Sequence, residues 1–132
     1  MAMDKPEFLS LGDVLTIHKD QIDRYGGAHG IRDQGLLESA LAQPRATFGG
    51  EYLHNDLPEM AAAYLYHIVQ NHPFIDGNKR VGAVCAYVFL RMNDVELTAS
   101  EESFESLVLA VASGQADKAQ TVAFLEKHSR PA

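Results

Sequence analysis

The sequence predicts an all-α fold, a compact helical bundle around a buried central helix, with a loop or small hairpin between two helices. Apolar residues recur at helical spacing along nearly the whole chain. The run 81–90 is apolar almost all round, which is typical of a buried helix. The 132 residues suffice for one domain with a core, so we expect a single domain over residues 1–132.

Caps and helix breakers mark the first two helices. Ser10 and Asp13 have the spacing of a capping box, with an acid in place of the usual Glu or Gln. The helix that they open should stop at the glycine pair 26–27. A second helix is predicted to start near Asp33, and Pro44 should end it.

Residues 44–57 separate these helices from the rest of the chain. The segment holds proline and paired glycines and has no clean period, so it predicts a long loop or a small hairpin near residues 48–53. Such a segment inside a compact domain is more often functional than filler.

The remaining helices follow from periodicity. A third helix should begin near Pro58, and the central helix should begin near Asp76 or Gly77. Two amphipathic helices separated by Gly114 should close the fold, and the tail from His128 is expected to fray.

Composition excludes several classes of protein. The net charge of -7 argues against direct nucleic-acid binding, because phosphate backbones select a basic surface. The single cysteine, Cys85, cannot form an internal disulfide. The polar N-terminus does not resemble a signal peptide, and the run 81–90 is too short to span a bilayer. We therefore expect a cytoplasmic protein with no membrane partner.

The stretch 72–80, His-Pro-Phe-Ile-Asp-Gly-Asn-Lys-Arg, carries the chemistry. Free N–H groups and a partial positive charge make the start of a helix a phosphate site. Lys79 and Arg80 are disfavoured there unless an anion compensates them. Asp76 fits either a helix cap or a ligand of Mg²⁺. His72 fits a base that takes a proton from an attacking hydroxyl. The stretch therefore predicts a site for a nucleotide triphosphate.

This stretch resembles the motif of the Fic family, His-Pro-Phe and an acid followed by Gly-Asn-Gly-Arg. It is closer still to the death-on-curing (Doc) branch, because Lys79 stands in place of the second motif glycine. Residues 26–40 also resemble that branch, and the resemblance covers roughly residues 8–125. Pro73 and Gly77 follow the general Fic pattern instead.

The resemblance implies roles for individual residues. His72 would be the general base, Asp76 would hold Mg²⁺, and Arg80 would complete the catalytic set. The residues implied to bind ATP are Gly77, Asn78, Lys79 and Arg80. Segment 44–57 would be a flap that docks the target protein, through Phe48, Gly49, Tyr52 and His54.

The Doc branch implies a toxin kinase of a toxin–antitoxin module. It would transfer a phosphoryl group from ATP to a Ser or Thr hydroxyl of a translation elongation factor, and a separate antitoxin would inhibit it. The alternatives are a Fic-type AMP transferase and, in another class, a catalytically silent module that binds a partner through segment 44–57.

Other polar residues favour structural roles. His18 and His67 lie on predicted helices and are expected to be packed or surface histidines. His29 and His54 lie in predicted loops, where function is more plausible. Arg32 and Glu38 could form an ion pair that supports the site, but a solvated pair is the favoured interpretation.

Overall fold

The computed structural model of the chain describes residues 5–132, in which six helices and two small antiparallel strand pairs confirm the predicted helical fold. Residues 1–4, and with them part of the polar N-terminus and of the predicted domain, lie outside the described residues. The helices are α1 (Leu11–Tyr25), α2 (Gln34–Ala42), α3 (Leu57–Asn71), α4 (Asn78–Met92), α5 (Glu101–Ser113) and α6 (Lys118–Lys127). The strands are β1 (Thr47–Phe48), β2 (Glu51–Tyr52), β3 (Val95–Leu97) and β4 (Ser129–Pro131).

Helices α3 and α4 form the centre of the fold. Helix α3 packs against α2, α4, α5 and α6, and α1 closes the other side of α4. The expectation of one helix buried all round fits α3 better than α4, because Tyr87 on α4 is 48% exposed. The largest fully buried side chains are Tyr64, Phe74, Phe89, Leu37, Met60, Leu65, Ile68, Leu90, Leu125, Val14, Val81 and Val111.

A glycine brings the two central helices together. A Cβ atom at Gly82 would lie 2.9 Å from a methyl group of Val69 and 3.3 Å from the carbonyl oxygen of Leu65. The first distance is shorter than a Cβ contact can be, and the second is tighter than ordinary van der Waals contact. Because α3 and α4 run antiparallel about a short connection, this close approach holds the end of α3 beside the start of α4.

Helices α1, α2 and α3 have side-chain caps at or near the starts that the sequence predicted. Ser10 and Asp13 form the capping box of α1, and Asp33 caps α2. Helix α3 is capped by Asp56, with Pro58 in its first turn. These side chains satisfy N–H groups that a helix start leaves without partners.

The predicted hairpin is formed by β1 and β2, with Thr47 opposite Tyr52. It rests on Phe8, whose ring lies 5.7 Å from the ring of Tyr52 and 5.8 Å from that of Phe89. The guanidinium carbon of Arg45 lies 5.0 Å from the same ring. The segment before α1 therefore fixes the hairpin against α4.

The tail from His128 does not fray, contrary to expectation. It forms β4, which pairs with β3 so that Leu97 lies opposite Ser129. The backbone N–H of Thr98 donates to the carbonyl of His128 at 2.6 Å. Each strand has only three residues, which is too short for an alternating pattern to be visible in the sequence.

His54, His67 of α3 and Lys118 of α6 form a partly buried basic cluster. Burial, together with the nearby charges of Lys118 and His54, lowers the pKa of His67 to about 4. Burial also lowers the pKa of His54 and of Lys118. The folded protein thus favours the neutral form of both imidazoles.

None of the helices in residues 5–132 combines the length and the hydrophobicity that crossing a bilayer requires.

We expect Gly82→Ala to reduce the free energy of unfolding by about 1–3 kcal/mol, because the new methyl group overpacks the α3–α4 contact. Gly12→Ala is the matched control. A Cβ at Gly12 meets only Ser10 Oγ, at 3.7 Å, so the change should stabilise α1 by about 0.5 kcal/mol. Urea unfolding measures both, and effects of equal sign would contradict the packing argument.

Stability should fall in acid partly through His67. Its pKa is about 4 in the folded protein, against about 6.5 for an unperturbed histidine. The stability that this ring contributes is therefore complete above pH 6.5 and is lost as the pH falls toward 4. Urea unfolding should give a free energy of unfolding that is lower at about pH 5 than at about pH 7 by on the order of 2 kcal/mol. This difference should be smaller in His67→Gln. An identical loss in the variant would assign the acid sensitivity to other groups.

Candidate functional site

A cleft of about 480 Å³ opens where α3 ends and α4 begins. It brings together all six site residues that the sequence predicted in the stretch 72–80. Two apolar residues from α3 and α5 complete the walls. The lining residues are Val69, His72, Asp76, Gly77, Asn78, Lys79, Arg80 and Ala112.

His72 ends α3 in a left-handed backbone conformation, with φ 51° and ψ 52°. A residue with a side chain adopts this conformation only when its surroundings hold it there. The Arg32 side chain supplies part of the support, since its Nε donates to the carbonyl of His72 at 2.6 Å and its Nη2 to that of Asn71 at 2.9 Å. Arg32 thus binds the end of α3 and makes no pair with Glu38.

Asn78 organises the loop between the two helices. Its Oδ1 accepts the N–H of Phe74 at 2.9 Å, and its Nδ2 donates to the carbonyl of the same residue at 3.0 Å. Nδ2 also lies 2.9 Å from Nδ1 of His72. Because the amide NH₂ can only donate, His72 Nδ1 accepts, and the neutral ring carries its proton on Nε2. Asn78 is only 5% exposed, and its carboxamide is occupied by these contacts within the loop.

The start of α4 differs from the other helix starts in the described chain. Gly77, not Asp76, is its N-cap, with φ 81° and no side-chain hydrogen bond. The other five helices of residues 5–132 each have a side-chain cap. The first turn of α4 therefore keeps its N–H donors and its partial positive charge for a ligand.

Asp76 is held from the α1 side of the site. Its carboxylate accepts the N–H of Ala28 at 3.2 Å and that of Gly77 at 3.0 Å. Its carbonyl oxygen lies 2.9 Å from His18 Nε2. Gly27 must be small, because a Cβ there would lie 2.8 Å from the carboxylate. Sequence reasoning treated His18 as a packed or surface residue and so missed this contact.

The donor set at Asp76 fits Mg²⁺. An exposed carboxylate lines the cleft, and each of its oxygens accepts only one hydrogen bond from the protein. Mg²⁺ is commonly bound by one or two carboxylates together with phosphate oxygens and water. Asp76 is the residue that would hold the ion.

Two cations border the cleft in different ways. Lys79 is exposed, and within residues 5–132 it enters none of the ion pairs of the structure. Arg80 donates through Nη1 to the carbonyl of Gln21 at 3.2 Å and through Nη2 to that of Gly26 at 2.9 Å. Arg80 therefore joins the end of α1 to the site, while Lys79 is free to meet an anion.

The loop of the motif also pairs with the backbone before α2. The N–H groups of Arg32 and Asp33 donate to the carbonyl of Pro73 at 2.7 and 3.0 Å. The N–H of Ile75 donates to the carbonyl of Gly30 at 3.1 Å. These are backbone contacts between segments some forty residues apart, and no pattern of side chains in the sequence predicts them.

The predicted docking residues differ in how far the structure exposes them to a partner. Phe48 is 84% exposed at the tip of the hairpin, where Gly49 has φ 62° and Tyr52 is half-buried against Phe8. His54 is only 6% exposed and lies in the partly buried basic cluster with Lys118, so it is not offered to a partner. The hairpin does not line the cleft.

Two curated relatives cover much of the chain. The sequence is 41% identical over 93 residues to "Toxin Doc" of Mycolicibacterium smegmatis, covering 70% of this chain and 69% of the relative. It is 34% identical over 107 residues to "Protein kinase doc" of Escherichia phage P1, covering 81% of this chain and 83% of the relative.

The sequence model of the Fic/DOC family matches residues 8–90, which include α1, the paired segment before α2, the hairpin, the motif loop and nearly all of α4. This is more than half of the chain, and it contains every residue that holds the cleft from the α1 side. The chain belongs to the Fic/DOC family.

Proposed function

We propose that this protein is a Doc-type toxin of a toxin–antitoxin module and acts as a protein kinase. It would transfer the γ-phosphoryl group of ATP to a Ser or Thr hydroxyl of a target protein in the cytoplasm. Two relatives support the proposal by name, one as a toxin and one as a protein kinase.

The observation that carries the proposal is the uncapped start of α4 beside His72, Asp76 and Lys79 in one cleft. Phosphoryl transfer needs positioning and neutralisation of charge more than covalent chemistry. Free N–H groups and Lys79 supply positive charge, and Asp76 would hold the Mg²⁺ that neutralises the phosphates when bound. His72 would supply the base.

In the proposed reaction the target hydroxyl oxygen attacks the γ-phosphorus, the bond to the β–γ bridging oxygen breaks, and ADP leaves. His72 takes the hydroxyl proton. In the free protein Nδ1 of this ring accepts from Asn78 and Nε2 carries the proton. To accept a proton in this tautomer, the ring would have to release its hydrogen bond with Asn78.

The second candidate is transfer of AMP. Pro73 and Gly77 follow the general Fic pattern, and the same residues would serve both reactions with ATP bound in opposite directions. Lys79 favours the kinase, because a long cation replaces the glycine of the AMP-transferring pattern and attracts phosphate. The third candidate, a silent binding module, leaves the chemical groups of the cleft without a role.

The partners follow from the same proposal. The target would be a translation elongation factor docking at the exposed hairpin tip, with Phe48 as the main contact. A separate antitoxin would fold onto this protein and inhibit it. We propose no direct contact with nucleic acid, which agrees with the net charge of -7.

Lys79→Met should weaken ATP binding by about tenfold or more, since a charge-assisted contact to phosphate is lost. Arg91→Met is the matched control, because it removes the same charge from the opposite end of α4, in its last turn. Calorimetric titration in Mg²⁺ measures both. Equal losses would point to overall charge rather than to a contact at the site.

Intact-mass spectrometry of an elongation factor after incubation with this protein, ATP and Mg²⁺ tests the reaction itself. We expect the gain of one phosphate, and His72→Ala should abolish it. A gain of one AMP would replace the kinase by the AMP transferase. If no mass is gained but ATP binds, the assay should be repeated on a whole cytoplasmic extract before the kinase is abandoned.

A further inference from the structure

The peptide group between Asp76 and Gly77 is held by a side chain from α1. His18 Nε2 lies 2.9 Å from the carbonyl oxygen of Asp76, and a carbonyl can only accept, so Nε2 carries the proton and donates. The His18 ring lies 4.0 Å from the Phe74 ring at an interplanar angle of 7°. His18 is 5% exposed and Phe74 is fully buried. The stacked ring therefore aims its N–H in one direction.

The glycine that follows this peptide makes the peptide easier to rotate. Gly77 has φ 81°, and glycine adopts positive and negative φ at similar cost. A peptide that precedes glycine can therefore turn over by changing ψ of the residue before it and φ of the glycine. Apart from the bond with His18, the hydrogen bond that holds this peptide within residues 5–132 is the one from the Gly77 N–H to Asp76 Oδ1.

A rotated peptide would damage the site directly. At present the N–H of Gly77 donates to Asp76 Oδ1 at 3.0 Å, on the side of the peptide opposite the carbonyl. Rotation would place the carbonyl oxygen where that N–H now lies, against the carboxylate. Two acceptors repel each other, so the carboxylate would be displaced and the start of α4 would present an oxygen in place of a donor.

We propose that His18 is a positioning residue of the site. By fixing the Asp76–Gly77 peptide, it aims the Asp76 carboxylate and the first turn of α4 at the Mg²⁺ and phosphates of a bound nucleotide. His18 acts through these groups and does not touch the nucleotide itself. The part that this peptide plays in binding ATP rests on the proposed function. The orientation of the peptide itself is a property of the free protein.

Two variants separate the hydrogen bond from the packing. His18→Phe keeps a ring against Phe74 and removes the donor. His18→Gln removes the ring and places an amide NH₂ at the position of Nε2. We expect the Phe variant to bind Mg²⁺–ATP about tenfold more weakly and the Gln variant to stay within about threefold of the unchanged protein. A role in packing alone would impair the Gln variant at least as much.

The second measurement needs no nucleotide. The amide ¹⁵N resonance of Gly77 in the free protein should move in His18→Phe and return toward its original position in His18→Gln. The Nε2–H proton of His18 in the unchanged protein should exchange slowly with water. A proton that exchanges as fast as that of an exposed imidazole contradicts the proposal even if the Phe variant does not fold.

The two measurements keep the proposals apart. If no group is transferred, or ATP does not bind, but the Gly77 resonance responds as expected, the kinase fails and the positioning role of His18 stands. If transfer is observed and the Phe variant matches the unchanged protein in affinity and resonance, the kinase stands and the positioning role fails. Equal impairment of the Phe and Gln variants also overturns the positioning role.

Discussion

The buried carboxamide of Asn78 is the interaction on which the site depends. It pairs with the N–H and the carbonyl of Phe74 and with the ring of His72. An asparagine is suited to this position because it offers an acceptor and two donors in one plane. An aspartate has no donor to give the carbonyl, and each buried polar group left unpaired costs about 1–3 kcal/mol. The amide thus fixes the loop, the ring and the start of α4 together.

The helical frame determines where this loop stands. Gly82 allows α3 and α4 to approach closely, so the negative end of one helix dipole lies beside the positive end of the other. Arg32 covers the carbonyls at the end of α3, which would otherwise add negative potential to the cleft. The start of α4 thus offers the cleft free N–H groups and the cation of Lys79, although the whole chain carries a net charge of -7.

Local signals in the sequence predicted the helices, their caps and the hairpin, because periodicity and capping act over a few residues. The stretch 72–80 predicted the lining of the cleft for the same reason. His18, Arg32 and Gly27 were not predicted as parts of the site, because their partners lie about forty to sixty residues away. The strand pair at the C-terminus and the burial of His54 were missed since both depend on tertiary contacts.

The contacts of Arg80 with the carbonyls of Gln21 and Gly26 bear on how such proteins are recognised in genomes. The nine motif residues do not make a site alone, since residues 18–33 supply groups that hold them. A gene that keeps the motif but has lost or replaced this leading segment would still be found by a motif search. Such a gene would encode a protein whose reactive groups are present but not assembled.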